Sequence, residues 1–259
     1  MRKKTTIVFV ILLSFLGLLH GGCYGAIQGS GEIISQSFDY DDFTRVEVSS
    51  AFKVDIEYGD AYNVNVTADD NLFEYIRVSE YDGVLKINML PGHTIFPNVL
   101  TATVTMPDIY RVDAFSASEV KVSTFKLFHD FHAVSSGAST IEFVDLIAGD
   151  VMLEADTASR IQGSLKVADM ELEASSVSRI TLSGQANNIN MSVSGASNMD
   201  LGGVVAKNVT AGLSGGSSAE INITGRLDAG LSGASHILYT GDPEIGNINL
   251  SDICSVERK

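Results

Sequence analysis

Apolar and polar residues alternate along most of the chain after residue 24, and no segment there has the spacing of an amphipathic helix. Val46 and Val48, for example, alternate with Arg45 and Glu47. A period of two predicts strands with one buried and one solvated face. The dipeptide Asp82-Gly83 separates two such segments and predicts a tight hairpin. The pattern therefore predicts an all-β protein.

A short serine motif recurs along the second half of the chain. Ser-Gly-Ala-Ser occurs in full at 136–139, 194–197 and 232–235, and variants lie before and between these copies. The serines that close the copies, about 20 residues apart, are Ser118, Ser139, Ser159, Ser178, Ser197, Ser217, Ser235 and, continuing the series, Ser255. A fixed period of this length without helices predicts a solenoid in which each repeat is one coil. We expect a single-stranded right-handed parallel β-helix, because crossovers between parallel strands are right-handed.

The closing serines are predicted to be structural. Small residues fit the narrow interior where a coil bends, and glycine there permits a positive φ. Serines stacked about 4.8 Å apart on successive coils could form a hydrogen-bonded ladder. A catalytic serine needs a partner base, and a serine repeated in eight coils, without the Gly-x-Ser-x-Gly context, does not indicate one. No catalytic residue is predicted.

The first 25 residues have the features of an export signal. Arg2-Lys3-Lys4 precedes the apolar run 7–19, which is short for a membrane span and typical of a secretory leader. The segment 18–23 resembles a bacterial lipobox and predicts lipidation of Cys23. Cleavage before Ala26 is the alternative. The remaining chain is predicted to form one domain over 27–255, with N-terminal coils and a cap over 27–110 and serine-motif coils over 111–255.

The charge of the chain limits its partners. The formal net charge is −15, and removal of the three basic residues of the leader changes it to −18. Such a surface repels phosphate backbones and anionic lipids, so we expect no nucleic-acid binding and membrane contact only through a lipid anchor. The only cysteines, Cys23 and Cys254, would lie at opposite ends of a solenoid, so no disulfide or thiolate metal site is expected.

The remaining polar residues suggest no cofactor or metal. We find no acidic position that recurs in register, apart from Glu142 and Glu220, and expect the acids to form solvated surface. His129 and His132 are three apart, so a strand would point them to opposite faces. The acidic run 39–42 lacks the pattern of a calcium loop. Most aromatic residues are expected in the core or cap, and an aromatic binding surface would lie at the N-terminal end.

Several segments, taken in order, resemble the putative auto-transporter adhesin "head GIN" domain family of bacterial envelope proteins. They include Ile27-Gln-Gly-Ser-Gly-Glu-Ile33, Phe43-Thr-Arg-Val-Glu-Val48, Val104-Thr-Met-Pro107, the serine motifs and Ile237-Leu-Tyr-Thr-Gly-Asp-Pro243. The resemblance covers about residues 27–255 and implies a right-handed β-helix outside the cell. It supplies no catalytic residues.

Two functional hypotheses follow. The first is a non-enzymatic exported protein of the cell envelope, a surface adhesion or scaffold module whose partners would be glycans or other surface proteins. The second is a polysaccharide lyase or hydrolase on the same fold, since glycosidases need two carboxylates in one cleft. A groove with converging Asp, Glu, Arg or Lys side chains would favour the enzyme, and a flat face of Ser, Thr and Asn would favour the first hypothesis.

Overall fold

The computed structural model describes residues 26–259, and nearly all of its regular structure is β-strand. The strands before the serine motifs are β1 (Ile27–Gln28), β2 (Ile33–Phe38), β3 (Arg45–Val48), β4 (Lys53–Tyr58), β5 (Asn63–Asp69), β6 (Ile76–Tyr81), β7 (Val84–Met89), β8 (Ile95–Phe96) and β9 (Leu100–Met106), with one 3-10 turn at Asp70–Leu72. The strands that follow are β10 (Arg111–Ala114), β11 (Glu119–Ser123), β12 (Phe131–Ser136), β13 (Thr140–Ile147), β14 (Val151–Asp156), β15 (Arg160–Lys166), β16 (Asp169–Ala174), β17 (Arg179–Val193), β18 (Asn198–Leu213), β19 (Ser218–Leu231), β20 (His236–Gly241), β21 (Glu244–Leu250) and β22 (Ser255–Arg258).

The strands stack in parallel into a β-solenoid of about seven turns, which confirms the predicted fold class. Two columns of paired strands run along it. The A column contains β9, β4, β11, β13, β15, the first parts of β17, β18 and β19, and then β20 and β22. The B column contains β7, β3, β10, β12, β14, β16, the second parts of β17, β18 and β19, and then β21.

The N-terminal part closes one end of the stack with antiparallel strands. β6 and β7 form a hairpin in which Tyr81 pairs with Val84, so the turn predicted at Asp82-Gly83 is confirmed. Both turn residues have positive φ, as a two-residue hairpin requires. β5 lies antiparallel between β9 and β2. This arrangement covers an end at which parallel coils would otherwise expose unpaired edges.

Alternation along each strand fills the interior. Buried and half-buried residues alternate without exception along β12 and β14, and the buried positions hold residues such as Ala133 and Leu153. The largest buried side chains are phenylalanines near the N-terminal half: Phe43, Phe52, Phe125, Phe131 and Phe143. One continuous apolar core therefore runs through the coils, since each coil supplies the floor for the next.

Residues 26–259 contain no helix long and apolar enough to cross a membrane.

Candidate binding groove

A groove of about 430 Å³ lies on the outer side of the B column. The groove is lined by polar and aromatic side chains of five successive coils, among them Tyr110, Asp130, His132, Asp150, Asp169, Glu171, Asn188 and Asn190. Because outward residues of neighbouring parallel strands lie side by side, equivalent positions of successive coils form rows along the groove. We call this site the B groove.

One row of the B groove is a column of Asp and Asn side chains at the strand starts. Asp130, Asp150, Asp169, Asn188 and Asn208 follow one another every 19 or 20 residues. Each oxygen Oδ1 of the three aspartates accepts a hydrogen bond from the backbone N–H of the next coil, at 2.9, 3.1 and 3.1 Å. Asn208 Nδ2 donates to Asn188 Oδ1 at 3.0 Å. We call this row the Asx column.

The Asx column corrects the sequence analysis. We predicted that no acidic position recurs in register apart from Glu142 and Glu220, and this was wrong. The spacing of Asp130, Asp150 and Asp169 equals the coil length, so the residues stack. Glu154 and Glu173 also pair in register. The carboxylates of Asp130, Asp150 and Asp169 use Oδ1 to hold the neighbouring coil, while their Oδ2 atoms make no hydrogen bond within residues 26–259 and are left as acceptors.

Tyr110 supplies the aromatic surface at the N-terminal end of the groove. Its ring is 46% exposed and stacks on the His129 ring, with a centroid distance of 3.7 Å and parallel planes. His129 Nε2 lies 2.8 Å from Asp108 Oδ1, and His129 Nδ1 lies 2.8 Å from the carbonyl oxygen of Asp130. Two acceptors favour an imidazolium that donates from both nitrogens. Burial lowers the pKa of His129, but the hydrogen bonds to Asp130 and Asp108 outweigh it, so the pKa is raised.

Charged side chains form a second row beside the groove. Arg111 donates from Nε to both oxygens of Asp113, at 2.9 and 2.8 Å. Its NH1 group lies 2.8 Å from His132 Nδ1, and His132 Nε2 lies 2.9 Å from Glu154 Oε1. Since arginine can only donate, Nδ1 of His132 accepts and Nε2 donates to Glu154. The row is a chain of hydrogen bonds that ties three coils together.

The structure places the predicted serines at the corners between the columns. Ser118, Ser139, Ser159, Ser178, Ser197, Ser217 and Ser235 are all buried, whereas Ser255 in the last coil is half-buried. Several hydroxyls bond the carbonyl three residues earlier, as in Ser139 to Ser136 at 2.7 Å. Only Ser217 and Ser235 contact each other hydroxyl to hydroxyl across coils, at 3.3 Å. Other hydroxyls donate to carbonyl oxygens of the preceding coil, as in Ser139 to Ala114 at 2.7 Å and Ser159 to Ser135 at 2.6 Å. The serines therefore both close their own corners and join neighbouring coils.

The other residues discussed from the sequence are dispersed. His129 and His132 contact different carboxylates, and within residues 26–259 no group of three or more His, Cys, Asp or Glu side chains is arranged to hold a metal ion. Cys23 lies outside the described residues. The thiol of Cys254 is half-buried and lies 3.6 Å from the carbonyl oxygen of Gly233. No serine of the ladder lines the B groove.

Tyr110 is the groove residue that sequence reasoning missed. Most aromatic residues were expected in the core or cap, as Phe43 and Phe52 are, and any aromatic surface at the N-terminal end, where Tyr58, Tyr81 and Phe96 are exposed. The sequence does contain a pattern that could have indicated the groove. Asp or Asn recurs at the coil period, and an aromatic residue lies just before the first repeated strand.

The stacked columns define the class: a parallel β-solenoid with a polar groove along its coils. Residues 42–243 match the family described as "Putative auto-transporter adhesin, head GIN domain", and the chain belongs to that family.

Solved structures with low sequence identity share the fold. A putative adhesin from Parabacteroides merdae is 17% identical, with a TM-score of 0.81, covering 90% of this chain and 99% of its own. A putative lipid binding protein from Parabacteroides distasonis is 17% identical, with a TM-score of 0.83, covering 91% of this chain and 100% of its own. A putative adhesin from the same organism is 18% identical, with a TM-score of 0.81 and the same coverage of both chains. No curated protein matches the chain. At these identities the similarity establishes the fold alone.

Proposed function

We propose that this protein is a non-enzymatic surface-interaction module of the cell envelope that binds a glycan chain in the B groove. The observation that carries the proposal is the combination of an exposed tyrosine ring with the Asx column that follows it along the coils. Membership of the adhesin family supports a surface role.

The chemistry of the groove suits hydroxyl-rich ligands. The apolar face of a sugar ring can pack on the aromatic ring of Tyr110, one face of which is already fixed by His129. The free oxygens of Asp130, Asp150 and Asp169 repeat with the coil spacing and can accept hydrogen bonds from successive hydroxyl groups. Because these oxygens are anionic, the groove favours neutral or amino sugars over acidic ones.

Removal of the tyrosine ring tests this assignment. Tyr110→Ala should weaken binding of the best glycan-array ligand at least about tenfold, because a buried aromatic contact typically dominates such a site. Residues 26–259 would be screened on the array, and affinity would be measured by calorimetry.

The matched control is Tyr81→Ala, which removes an 81% exposed tyrosine at the hairpin turn, far in sequence from the groove. Equal weakening by both substitutions, or a ligand whose binding ignores Tyr110→Ala, would contradict the groove assignment. Far-ultraviolet circular dichroism checks that both variants fold.

A second candidate is a polysaccharide-processing enzyme, favoured by one observation. Arg111, His132 and Glu154 converge across adjacent coils beside the groove. We favour binding because these three side chains are engaged in hydrogen bonds with one another. Release of uronic acid or reducing sugar by highly purified protein, abolished by His132→Gln, would overturn the non-enzymatic proposal.

Export and anchoring complete the proposal. The basic and apolar leader over 1–25 supports export, and the lipobox-like segment ending at Cys23 supports a lipid anchor that would display the solenoid on the cell surface. A lipid-anchored module would present the B groove to glycans outside the cell.

A further inference from the structure

Two arginines form an exposed like-charge pair on the outer side of the A column. Arg160 of β15 and Arg179 of β17 are directly paired in the parallel register, and both are exposed. Adjacent strands lie about 4.8 Å apart, so the two side chains emerge side by side. Like charges directly opposite one another destabilise a sheet.

The pair is not neutralised by its surroundings. Within residues 26–259 neither guanidinium forms an ion pair, whereas Arg45, Arg111, Arg226 and Arg258 each have a carboxylate partner. The flanking residues in the same row are neutral, Thr140 on one side and Asn198 on the other.

Two carboxylates lie diagonally from the pair and are engaged elsewhere. Glu142 accepts a hydrogen bond from Gln162 at 3.5 Å, and Asp200 accepts one from the backbone N–H of Gly202 at 3.3 Å. Two forked donor groups are thus left free on a protein that is otherwise strongly acidic.

We propose that Arg160 and Arg179 together bind an oxyanion group, a sulfate or carboxylate, carried by an acidic saccharide. A guanidinium offers a planar pair of donors that matches an oxyanion in a bidentate manner, and two in register can grip one anion from both sides. Thr140, Asn198, Gln162 and Thr181 surround the pair with uncharged hydrogen-bonding groups suited to neighbouring sugar hydroxyls.

This site is distinct from the B groove. It lies on the other strand column, across the serine corner that joins β14 to β15. Its ligand also differs, since the B groove presents carboxylates and this site presents the opposite charge. The protein would therefore bind two kinds of saccharide on two of its sides.

Retention on charged polysaccharide columns tests the site. Residues 26–259 would be passed over dextran, carboxymethyl dextran and dextran sulfate at about 0.1 M salt, where the Debye length of about 10 Å screens the remote acidic residues. Retention is expected on the charged columns only. Arg160→Gln/Arg179→Gln should reduce affinity for the retained polymer at least about tenfold, because two charge-assisted contacts are lost.

The matched control removes the same charge elsewhere. Arg77→Gln/Lys207→Gln changes two exposed basic residues that form no ion pair within residues 26–259, and it should leave retention unchanged. An equal loss in this control, or no preference for charged over plain dextran, would overturn the proposal.

Two further arms separate the alternatives. Stronger retention on a polyphosphate column than on dextran sulfate would contradict the proposal that the ligand is an acidic saccharide. Tyr110→Ala should leave retention unchanged, so failure of the groove assignment and failure of this site give different results.

Discussion

At the scale of single residues, the N-terminal cap depends on one buried carboxylate. Asp69 is fully buried, and its two oxygens accept hydrogen bonds from the backbone of Gly31, the backbone and side chain of Asn98, and the backbone of Val99. The hydrogen bond from the Asn98 side chain, aided by the backbone donors and opposed by burial, lowers the pKa of Asp69 to about 2. One ionised side chain thus joins three segments that are distant in sequence.

The lowered pKa of Asp69 predicts that the N-terminal cap is destabilised by acid. Because the pKa of Asp69 falls from 3.8 to about 2 on folding, its contribution is fully present above pH 3.8 and is lost as the pH falls towards 2. Asp69→Asn should lower the melting temperature at neutral pH and reduce the acid dependence below pH 3.8. Thermal melts from pH 7 to pH 2 would measure both effects.

The exposed Asp39 offers the control, since it makes no side-chain hydrogen bond within residues 26–259. Asp39→Asn should reproduce the melting temperatures of the unchanged protein. A wild-type acid profile in Asp69→Asn would show that the buried carboxylate does not carry the effect. Asp156, whose pKa is also lowered to about 2 by Ser175 and Thr157, and Asp228, whose pKa is lowered by Arg226, contribute to the remaining acid dependence.

Some residue roles could be predicted from the sequence and others could not. The closing serines were found because small residues at a fixed period are visible without coordinates, and Ser255 differs because no further coil within the described residues covers it. The positive φ assigned to the motif glycines also occurs at Thr157, Ser176 and Val177, where side chains follow the same corner geometry. The ring of Tyr110 stacks on that of His129, nineteen residues later, and this contact could not be inferred locally.

At the scale of strands, adjacent coils approach closely at three glycines of the A column, Gly163, Gly184 and Gly241. Gly163 and Gly184 have φ of +140° and +124°. A Cβ atom on Gly163 would lie 2.1 Å from the carbonyl oxygen of Phe143, and one on Gly184 would lie 1.8 Å from that of Leu165. Both positions need glycine because backbone rather than a flexible side chain occupies the space.

Substitution of Gly184 should therefore destabilise the stack. Gly184→Ala is expected to cost at least about 2 kcal/mol, from a strained φ and a backbone collision, which corresponds to a fall in melting temperature of about 4 to 8 °C. Urea titration would give the free energy of unfolding.

Gly230→Ala is the control, because nothing lies within 4 Å of a Cβ at that exposed strand position. We expect its stability to stay within about 1 kcal/mol of wild type. Equal effects of the two substitutions would mean that loss of glycine flexibility, and not the close approach of the coils, governs the result.

The order in which the strands pair at the N-terminal end could not be predicted from the sequence. Period-two alternation correctly indicated strands there, but β3 pairs with both β7 and β10. β3 therefore lies between two strands that both come later in the chain, with β7 on the capped side and β10 on the other. Alternation specifies which residues are buried, whereas the partner of each strand depends on contacts between distant segments.

At the scale of the whole molecule, the proposed display on the cell surface depends on the leader. If Cys23 carries the lipid, cells fed radiolabelled palmitate should incorporate label into the protein, and Cys23→Ala should abolish it. Cys254→Ala, which removes the only other cysteine, should keep the label. Absence of label on the unchanged protein would refute lipidation and favour cleavage before Ala26.

The two outer sides of the solenoid carry different candidate sites on one framework. Alternation makes the inward positions of each strand apolar and leaves the outward positions free to vary. Among these outward positions, the B column includes the Asx column and the A column includes the pair Arg160 and Arg179. The fold could be predicted because it follows from the inward positions, while the candidate sites could not, because they arise from outward residues of several coils.

The regular pairing of each coil with its two neighbours has a consequence for how this protein can evolve. A gain or loss of one unit of 19 or 20 residues within β12–β19 would keep the serine corners and the Asx column aligned, because every coil supplies equivalent partners to the next. Duplication would lengthen both outer sides by about 4.8 Å per unit. The length of a polymeric ligand that the solenoid can contact could thus change through the gain or loss of whole coils, while the packing of the interior stays the same.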